Sequence, residues 1–256
     1  MKQILSPRLL FVLFMAMFMW NCTKDDTIPT DEQDVAIPTD NLVAYYPFNG
    51  DVKDYSGNLN NGYAVGVIST TDRNNRENGA YTFGPNAWIV VPQSTTLTQL
   101  DDKSISLWVY LPENENLVMY PTLISKADNY YQTYCIQLNG SAGYGSEQYK
   151  FSFFFGSGTS NYLCNSVSKY TDYTSKWVHL VGTYSKTTGV SKIYINGVLS
   201  NTTIAGSISS NYSTGNMYIG KAGNLSGQTY FTGKMDDIRI YKRVLNQNEV
   251  KALFKE

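Results

Sequence analysis

Short runs of alternating apolar and polar residues dominate the chain from residue 42 onward, and clusters of Gly, Asn, Ser and Pro separate them. Residues 104–111, Ser-Ile-Ser-Leu-Trp-Val-Tyr-Leu, alternate as a half-buried strand requires, and residues 150–155 repeat the pattern with aromatic side chains. Because these strand-like segments follow one another without an intervening helical pattern, the sequence predicts a single all-β domain.

One turn of this domain can be predicted from the sequence. Residues 192–199 read Lys-Ile-Tyr-Ile-Asn-Gly-Val-Leu, with Asn196-Gly197 between two apolar runs. Both residue types readily adopt the positive φ values that a two-residue hairpin turn needs. We therefore expect two antiparallel strands joined at Asn196 and Gly197.

A helical pattern is found only at the end of the chain. Asn246 and Glu249 are spaced as in a capping box, in which each side chain binds the backbone of the other residue. Leu245, Val250 and Leu253 recur on one helical face. The sequence predicts a short C-terminal helix of two or three turns.

The N-terminus has the features of a secretory signal. Lys2 and Arg8 precede an apolar run over residues 9–20. About twelve residues are too few to cross a hydrocarbon core of about 30 Å, which indicates a signal-peptide core rather than a membrane span.

Cys22 follows this run directly and precedes Thr23-Lys24-Asp25-Asp26. This arrangement resembles a bacterial lipoprotein signal, and its acidic tail resembles the surface-export signal of Bacteroidetes lipoproteins. The resemblance implies a signal peptide over residues 1–21, a lipidated Cys22, an acidic tether over residues 22–41 and an outward-facing position on the outer membrane. The alternative is a plain signal peptide with a chance cysteine.

Composition narrows the possible partners. The net charge is -1 and charged residues make up 16 %, so neither nucleic acid nor an anionic membrane surface is an expected partner, and any membrane contact should come only from the lipid anchor. The chain has 21 tyrosines and 20 glycines with abundant Ser, Thr and Asn, a profile typical of β-sandwiches and common among secreted proteins that face carbohydrate.

Cys135 and Cys164 remain once Cys22 is assigned to the lipid anchor. An even pair in an oxidising compartment suggests a disulfide. However, the strand predicted over residues 149–155 would separate them by roughly 9 to 10 Å, at about 4.8 Å per strand. A disulfide needs Cα atoms within about 7 Å, so we expect two free, buried thiols.

An ordered set of motifs extends over almost all of residues 42–254. The set is Tyr45-Tyr46-Pro47-Phe48-Asn49-Gly50; Asp54-Tyr55-Ser56-Gly57-Asn58; Tyr81-Thr82-Phe83; Trp88-Ile89-Val90-Val91-Pro92; Trp177-Val178-His179-Leu180-Val181-Gly182-Thr183-Tyr184; and Gly233-Lys234-Met235-Asp236-Asp237-Ile238-Arg239-Ile240-Tyr241. It resembles the laminin-G-like members of the concanavalin A-like lectin/glucanase superfamily. The resemblance implies a jelly-roll sandwich of two antiparallel sheets over residues 42–256, with a concave face where relatives bind glycans or other partners.

A structural calcium ion is one expectation. Asp54, Asn58 and Asn60 lie in a glycine-broken loop, and calcium binds six to eight such oxygens in flexible geometry. Relatives that hold calcium between the first and last strands imply Asp236 as a further ligand. The alternative is that Asp54 and the asparagines only cap turns through the local backbone.

The sequence offers little support for catalysis. His179 is the only histidine and lies in an apolar strand, where we expect a hydrogen-bonded packing role. Glycoside hydrolysis by a retaining mechanism needs two carboxyl groups about 5 to 5.5 Å apart. Glu113 and Glu115 come nearest to the required spacing, but they follow Pro112 in an Asn-rich loop and are expected to be solvated.

Aromatic side chains are the candidates for carbohydrate binding. Tyrosines cluster around the central strands, and the predicted glycan contacts are Tyr130, Tyr131, Tyr134 and Tyr144. Trp88, Trp108 and Trp177 alternate into apolar strands and are expected in the core. The sequence thus predicts a non-catalytic, surface-anchored domain that binds a polysaccharide or glycan. The alternatives are a glycoside hydrolase and an adhesion module that binds protein.

Overall fold

The computed structural model describes residues 35–113, 120–127, 132–139, 147–156, 160–209, 213–223 and 229–256, all within one unit, Asp34–Glu256. Cys22, the signal peptide and most of the tether lie outside the described residues. The described strands are β1 Leu42–Tyr46, β2 Tyr63–Val65, β3 Ile68–Thr70, β4 Ala80–Phe83, β5 Trp88–Val91, β6 Lys103–Tyr110, β7 Thr122–Ala127, β8 Gln132–Leu138, β9 Lys150–Gly156, β10 Asn161–Lys169, β11 Trp177–Ser185, β12 Val190–Ile195, β13 Val198–Ile204, β14 Met217–Ile219 and β15 Gly233–Tyr241. The α-helices are α1 Thr95–Thr98 and α2 Gln247–Lys255, and a 3-10 helix covers Tyr170–Tyr173.

Two antiparallel sheets form a sandwich. Sheet A has the order β13-β12-β11-β6-β15-β4-β3, with β1 also paired to β15, and sheet B has the order β10-β9-β8-β7-β14-β5-β2. The predicted all-β jelly roll with a C-terminal helix is confirmed. No helix in the described part of the chain is long and apolar enough to cross a membrane.

Inward-facing side chains of both sheets form one apolar core. In β9, Phe151, Phe153 and Phe155 face inward, since they alternate with outward-facing Ser152. Gly182 on sheet A allows a close approach of the Phe153 ring from sheet B, because a Cβ atom at Gly182 would lie 2.4 Å from that ring. Strand alternation thus separates a core face from an outer face on each sheet.

Both local predictions are confirmed. Asn196 and Gly197 have φ values of 50° and 76° and join β12 to β13 in a tight hairpin. At the start of α2, Asn246 and Glu249 form the predicted capping box. The apolar face of α2 packs onto the outer face of sheet A against Val181, Tyr194 and Tyr241.

A β-bulge in β15 shapes the same outer face. Asp236 pairs with Trp108 and Arg239 pairs with Ser106, so three steps along β15 match two steps along β6. Asp237 has a φ of 45°, a left-handed conformation that aspartate tolerates better than most residues. The extra residue places two consecutive carboxylates on the outer face of sheet A.

Cys135 and Cys164 are free and buried, as predicted. Cys135 lies opposite Phe154 in β9, whereas Cys164 lies opposite Phe153. Neighbouring residues of a strand point to opposite faces, so the two thiols are on different faces of sheet B as well as on strands that β9 separates.

Candidate functional site

The outer face of sheet B carries a surface row of aromatic and apolar side chains near the β2 edge. Tyr63, Val90 and Tyr218 share a cross-strand row, and Val65 pairs with Trp88 in the next row. Tyr63 is 64 % exposed, and Trp88 and Tyr218 are partly exposed. A soluble domain seldom presents adjacent aromatic rings to water without a binding role, so this surface is the first candidate.

The centre of this surface is an aromatic–lysine patch, which we define as Trp88, Tyr218, Lys221 and Tyr230. The ammonium nitrogen of Lys221 lies 4.4 Å from the Trp88 ring centroid and 4.5 Å from that of Tyr218. The Tyr230 ring centroid lies 5.9 Å from that of Trp88. The patch therefore combines ring surfaces with one positive charge.

Backbone contacts hold Lys221 in place. Gly220 ends β14 with a φ of 91°, and a side chain there would collide with Phe83, so the turn requires glycine. The buried hydroxyl of Ser125 donates to the carbonyl of Lys221 at 3.1 Å and accepts from the backbone N–H of Gly223 at 2.9 Å. Lys221 is thus positioned by sheet B itself.

Tyr230 is fixed in a similar way. The carbonyl of the preceding Thr229 accepts from the backbone N–H of Thr122 at 3.0 Å. The following Phe231 is fully buried, and its backbone N–H donates to the carbonyl of Gly220 at 2.9 Å. Hydrogen bonds on both sides thus fix the backbone at Tyr230, and the ring lies beside Trp88.

Lys221 is electrostatically distinct. Within the described ranges, its ammonium group forms no ion pair or hydrogen bond, and partial burial lowers its pKa from the usual lysine value. Removal from water disfavours the charged form, and the two ring faces offset part of that effect. The cation remains available to a ligand.

The opposite end of the same face carries a hydrogen-bonded amide network. Asn165 accepts from the Ser152 hydroxyl and donates to the Glu147 carboxylate. Gln137 donates to the side-chain oxygen of Asn139, and the side-chain amide N–H of Asn139 donates to the backbone carbonyl of Glu147. Because these groups satisfy one another, this end offers a ligand fewer free groups than the aromatic–lysine patch.

The structure corrects two predictions about aromatic residues. Tyr134 is fully buried and its hydroxyl contacts the Met217 sulfur, so the prediction that it contacts glycan is wrong. Trp88 and Trp177 are partly exposed on outer faces rather than in the core, and Trp108 is buried on the outer face of sheet A. Tyr130, Tyr131 and Tyr144 lie outside the described residues.

The predicted calcium ligands are used differently from one another. Both oxygens of Asp54 are occupied: one accepts from the N–H groups of Tyr45 and Ser56, and the other from the Ser56 hydroxyl and the N–H of Asn60. The Asn58 amide donates to the carbonyl of Val43. These contacts match the turn-capping alternative.

Asp236, the fourth predicted ligand, bonds Arg73 and shares no hydrogen bond or ion pair with the 54–60 loop. Among the described residues, no group of three or more His, Cys, Asp or Glu side chains is arranged to hold a metal ion. Calcium binding stays a prediction. It would be seen as a melting temperature that calcium raises and a chelator lowers.

The outer face of sheet A holds a buried ionic cluster. Arg73 pairs with both Asp236 and Asp237, and Arg239 binds Glu256 at 2.7 Å. Burial and the neighbouring Asp237 raise the pKa of Asp236 to about 7. Because Asp236 is fully buried and Asp237 is 4 % exposed, this adjacent carboxylate pair is inaccessible to a polysaccharide.

His179 lies beside this cluster, and its Nε2 is 2.8 Å from the Ser106 hydroxyl. Burial, with Arg73 and Arg239 nearby, lowers its pKa to about 3, so the ring is neutral. The Trp108 ring packs against it at 5.1 Å between centroids. The predicted packing role is confirmed. Glu113 is exposed as predicted, and Glu115 lies outside the described residues.

A concavity of about 360 Å³ lies where β1 begins. Its lining is mostly amide and hydroxyl groups without an aromatic ring, from Asn41, Asn58, Thr95, Thr96, Gln99 and Lys242. It lacks the flat apolar surface that distinguishes the aromatic–lysine patch.

Comparisons with known proteins agree with this architecture. The laminin-G model of the concanavalin A-like lectin/glucanases superfamily matches residues 83–251. No curated protein matches the chain in sequence. Among solved structures, the chain is similar to domain 4 of AbnA, a GH43 extracellular arabinanase from Geobacillus stearothermophilus, with 23 % identity, 83 % of this chain and 97 % of that chain covered, and a TM-score of 0.63.

Two toxin structures are also similar. The binding domain of Paraclostridial Mosquitocidal Protein 1 is 20 % identical, with 84 % of this chain and 52 % of that chain covered and a TM-score of 0.64. A structure of botulinum neurotoxin type C is 19 % identical, with 85 % and 51 % covered and a TM-score of 0.65. The chain spans about half the length of these toxin chains, and the likeness establishes the fold.

Proposed function

Because the chain belongs to the concanavalin A-like lectin/glucanases superfamily, we propose that its folded domain binds carbohydrate without cleaving it. The observation that carries this proposal is the aromatic–lysine patch, where the partly exposed rings of Trp88 and Tyr218 contact one ammonium group and the partly exposed ring of Tyr230 lies beside Trp88. Sugar rings present apolar C–H faces to aromatic surfaces and hydroxyls to polar groups. Apolar surface combined with a few placed polar groups is the usual composition of a ligand site.

Similar structures support a carbohydrate ligand. Domain 4 of the Geobacillus arabinanase was solved in complex with arabinotriose. Cell entry of botulinum neurotoxin type C depends on interaction with two ganglioside molecules. Because a shallow surface must replace the hydration of the sugar, we expect dissociation constants from roughly micromolar to millimolar, about 4 to 8 kcal/mol.

The acidic residues argue for binding over hydrolysis. Cleavage requires an acid and a second carboxylate facing the bond, about 5 to 10 Å apart depending on mechanism. Asp236 and Asp237 are buried and held by Arg73, on the sheet opposite the aromatic–lysine patch. Because they are buried and paired, these two carboxylates are suited to stabilising the fold rather than to catalysis.

We further propose that lipidated Cys22 anchors the domain to the outer membrane with the domain facing outward. The support is the apolar run over residues 9–20 and the acidic residues after Cys22. Display of many copies on one surface raises avidity without any new contact. Cys22→Ala should release the protein from membranes or leave it unprocessed. Recovery of the wild type in a soluble, unlipidated form would contradict the anchor.

The surface orientation has its own test. Alanine at Lys24, Asp25 and Asp26 should leave the lipoprotein facing the periplasm, where protease added to whole cells cannot reach it. Unchanged protease sensitivity would contradict the export role of these residues.

Binding is tested on a glycan array with purified domain, followed by titration of the best ligand. Trp88→Ala should weaken binding about tenfold, because a stacked ring contributes about 0.5 to 1.5 kcal/mol beyond its buried area and about 1.4 kcal/mol is a factor of ten in affinity. Trp177→Ala is the matched control, since Trp177 is a partly exposed tryptophan on the outer face of sheet A. Release of reducing sugar would indicate a hydrolase. Silence on the array with tight binding to a protein would indicate an adhesion module.

A further inference from the structure

Lys221 is partly exposed, and its contacts differ from those of two buried cations of the domain, Arg73 and Lys126. The Arg73 guanidinium binds two carboxylates, and the Lys126 ammonium binds the backbone carbonyls of Ser213 and Gly215. In the described part of the chain, the Lys221 ammonium binds neither a carboxylate nor a carbonyl and lies over two aromatic rings. Its position comes from the backbone, through Gly220 and Ser125, and not from a charged partner.

This geometry specifies the ligand more closely. Cation–ring contacts retain the ammonium charge, whereas an ion pair would neutralise it. An ammonium group that already lies against two rings loses less conformational freedom on binding an anion than a lysine side chain free in water. A charge-assisted hydrogen bond formed there is roughly twice as strong as a neutral one.

We propose that the aromatic–lysine patch selects acidic saccharides, with the sugar ring on Trp88 and Tyr230 and its anionic group on Lys221. This inference rests on the proposed carbohydrate binding and names its ligand class. The anionic group is a carboxylate, as in uronic and sialic acids, or a sulfate ester. Both are compact anions that accept hydrogen bonds from an ammonium group.

The test uses an array of matched neutral and acidic glycans. It includes lactose, 3′-sialyllactose and 3′-sulfolactose, together with polygalacturonate and its methyl ester. We expect acidic members to bind about tenfold more tightly than their neutral partners. The sialylated and sulfated arms identify which anion Lys221 prefers. Binding of acidic members should weaken as salt rises, because a partly exposed ion pair is screened.

Substitutions assign the preference to Lys221. Lys221→Met retains the aliphatic packing and removes the charge, so it should abolish the preference for acidic members and its salt dependence. Lys221→Arg should restore both. Lys234→Met is the matched control, because Lys234 lies 5.3 Å from the Tyr110 ring centroid on sheet A. Unchanged melting temperatures show that each variant is folded.

The outcomes separate the two proposals. Equal binding of neutral and acidic members that is lost in Trp88→Ala would overturn the acidic preference and leave carbohydrate binding intact. Acidic binding that persists in Lys221→Met would also overturn the preference. No binding to any member would overturn both proposals. Binding that Trp88→Ala leaves unchanged would place the glycan elsewhere on the domain, which overturns the acidic preference of the aromatic–lysine patch and leaves carbohydrate binding intact.

Discussion

The two outer faces of the sandwich differ in the partners of their positively charged side chains. On sheet A, Arg73 and Arg239 are buried and paired with Asp236, Asp237 and Glu256. On sheet B, Lys221 is partly exposed and has two aromatic rings as neighbours instead of carboxylates. Charged groups that are buried and paired contribute to the fold, but they are not available to bind a ligand. The comparison therefore assigns stability to sheet A and binding to sheet B.

Helix α2 explains part of this difference. It covers the outer face of sheet A, and Phe254 stacks on Trp108 at 5.6 Å between centroids. Ile37 and Leu42, from the N-terminal part of the domain, pack against the same cluster. The described helices include no counterpart of α2 on the aromatic–lysine patch, so its rings remain at the surface.

The largest expected effect on stability comes from removing Arg73, the cation that Asp236 and Asp237 share. Arg73→Met would leave Asp236 and Asp237 buried without their shared partner, which should lower the free energy of unfolding by about 3 to 5 kcal/mol. Denaturant unfolding measures the loss. Arg76→Met is the matched control, because Arg76 pairs with Asp72 while its side chain is 55 % exposed, and it should lose less than about 1 kcal/mol. Similar losses in both variants would contradict the role of burial.

The next prediction uses the opposed pKa shifts on sheet A. Burial and Asp237 raise the folded pKa of Asp236 to about 7, against about 3.9 unfolded, so its contribution to stability is lost as pH rises through that range. Burial lowers the folded pKa of His179 to about 3, against about 6.5 unfolded, so its contribution is present above pH 6.5 and is lost as pH falls. Between about pH 4 and 6.5 the two effects oppose each other.

The Asp236→Asn variant lacks the pH-dependent contribution of Asp236 to stability. The stability of the variant, relative to that of the wild type, should rise by about 3 kcal/mol between pH 4 and 6.5. Unfolding curves at matched pH values measure this difference, and contributions from other acids cancel in it. Parallel profiles of variant and wild type would show that Asp236 does not titrate in this range.

The Ser125→Ala variant tests whether the Ser125 hydroxyl positions the aromatic–lysine patch. It removes the hydroxyl that binds Lys221 and Gly223, leaving a buried N–H unpaired, and should cost about 1 to 2 kcal/mol of stability. Glycan affinity should also fall several-fold. Ser191→Ala, on sheet A, removes a buried hydroxyl that donates to Thr183 and should leave affinity unchanged. Equal affinity in both variants would contradict the positioning role of Ser125.

The smallest effect is expected from Lys221 itself. Lys221→Met should change the free energy of unfolding by less than about 0.5 kcal/mol, because the lysine makes no ion pair in the described residues. Measured beside Arg73→Met, it sharpens the contrast between the two faces. A loss above 2 kcal/mol would mean that Lys221 serves the fold.

Local features of the fold could be predicted from the sequence. The hairpin at Asn196-Gly197 and the capping box at Asn246 and Glu249 depend on neighbours within a few residues, so their chemistry is visible in the chain. The two-sheet sandwich followed from the ordered motifs.

The candidate site could not be predicted in the same way. Trp88 and Val90 face one side of β5 while Ile89 and Val91 face the other, and both sides are apolar. Alternation separates the two faces but does not say which one is buried. The patch also joins Trp88 to Tyr218, which are adjacent only because β5 pairs with β14.

The same limit explains the error at Tyr134. It shares the inward face of β8 with Ile136 and Leu138, so the alternation that defines the strand also buries the ring. Asp54 shows a different limit, because the residue types of its loop fit both a calcium site and a set of turn caps. Only the four donors around its carboxylate reveal the capping role.

The central claim, that the outer face of sheet B binds the glycan, is tested most directly by hydrogen–deuterium exchange with and without the best array ligand. We predict that ligand slows exchange in the backbone segments around Trp88, Tyr218 and Lys221, and leaves α2 and the hairpin at Asn196 unchanged. Protection confined to sheet A, or to the concavity beside β1, would contradict the account.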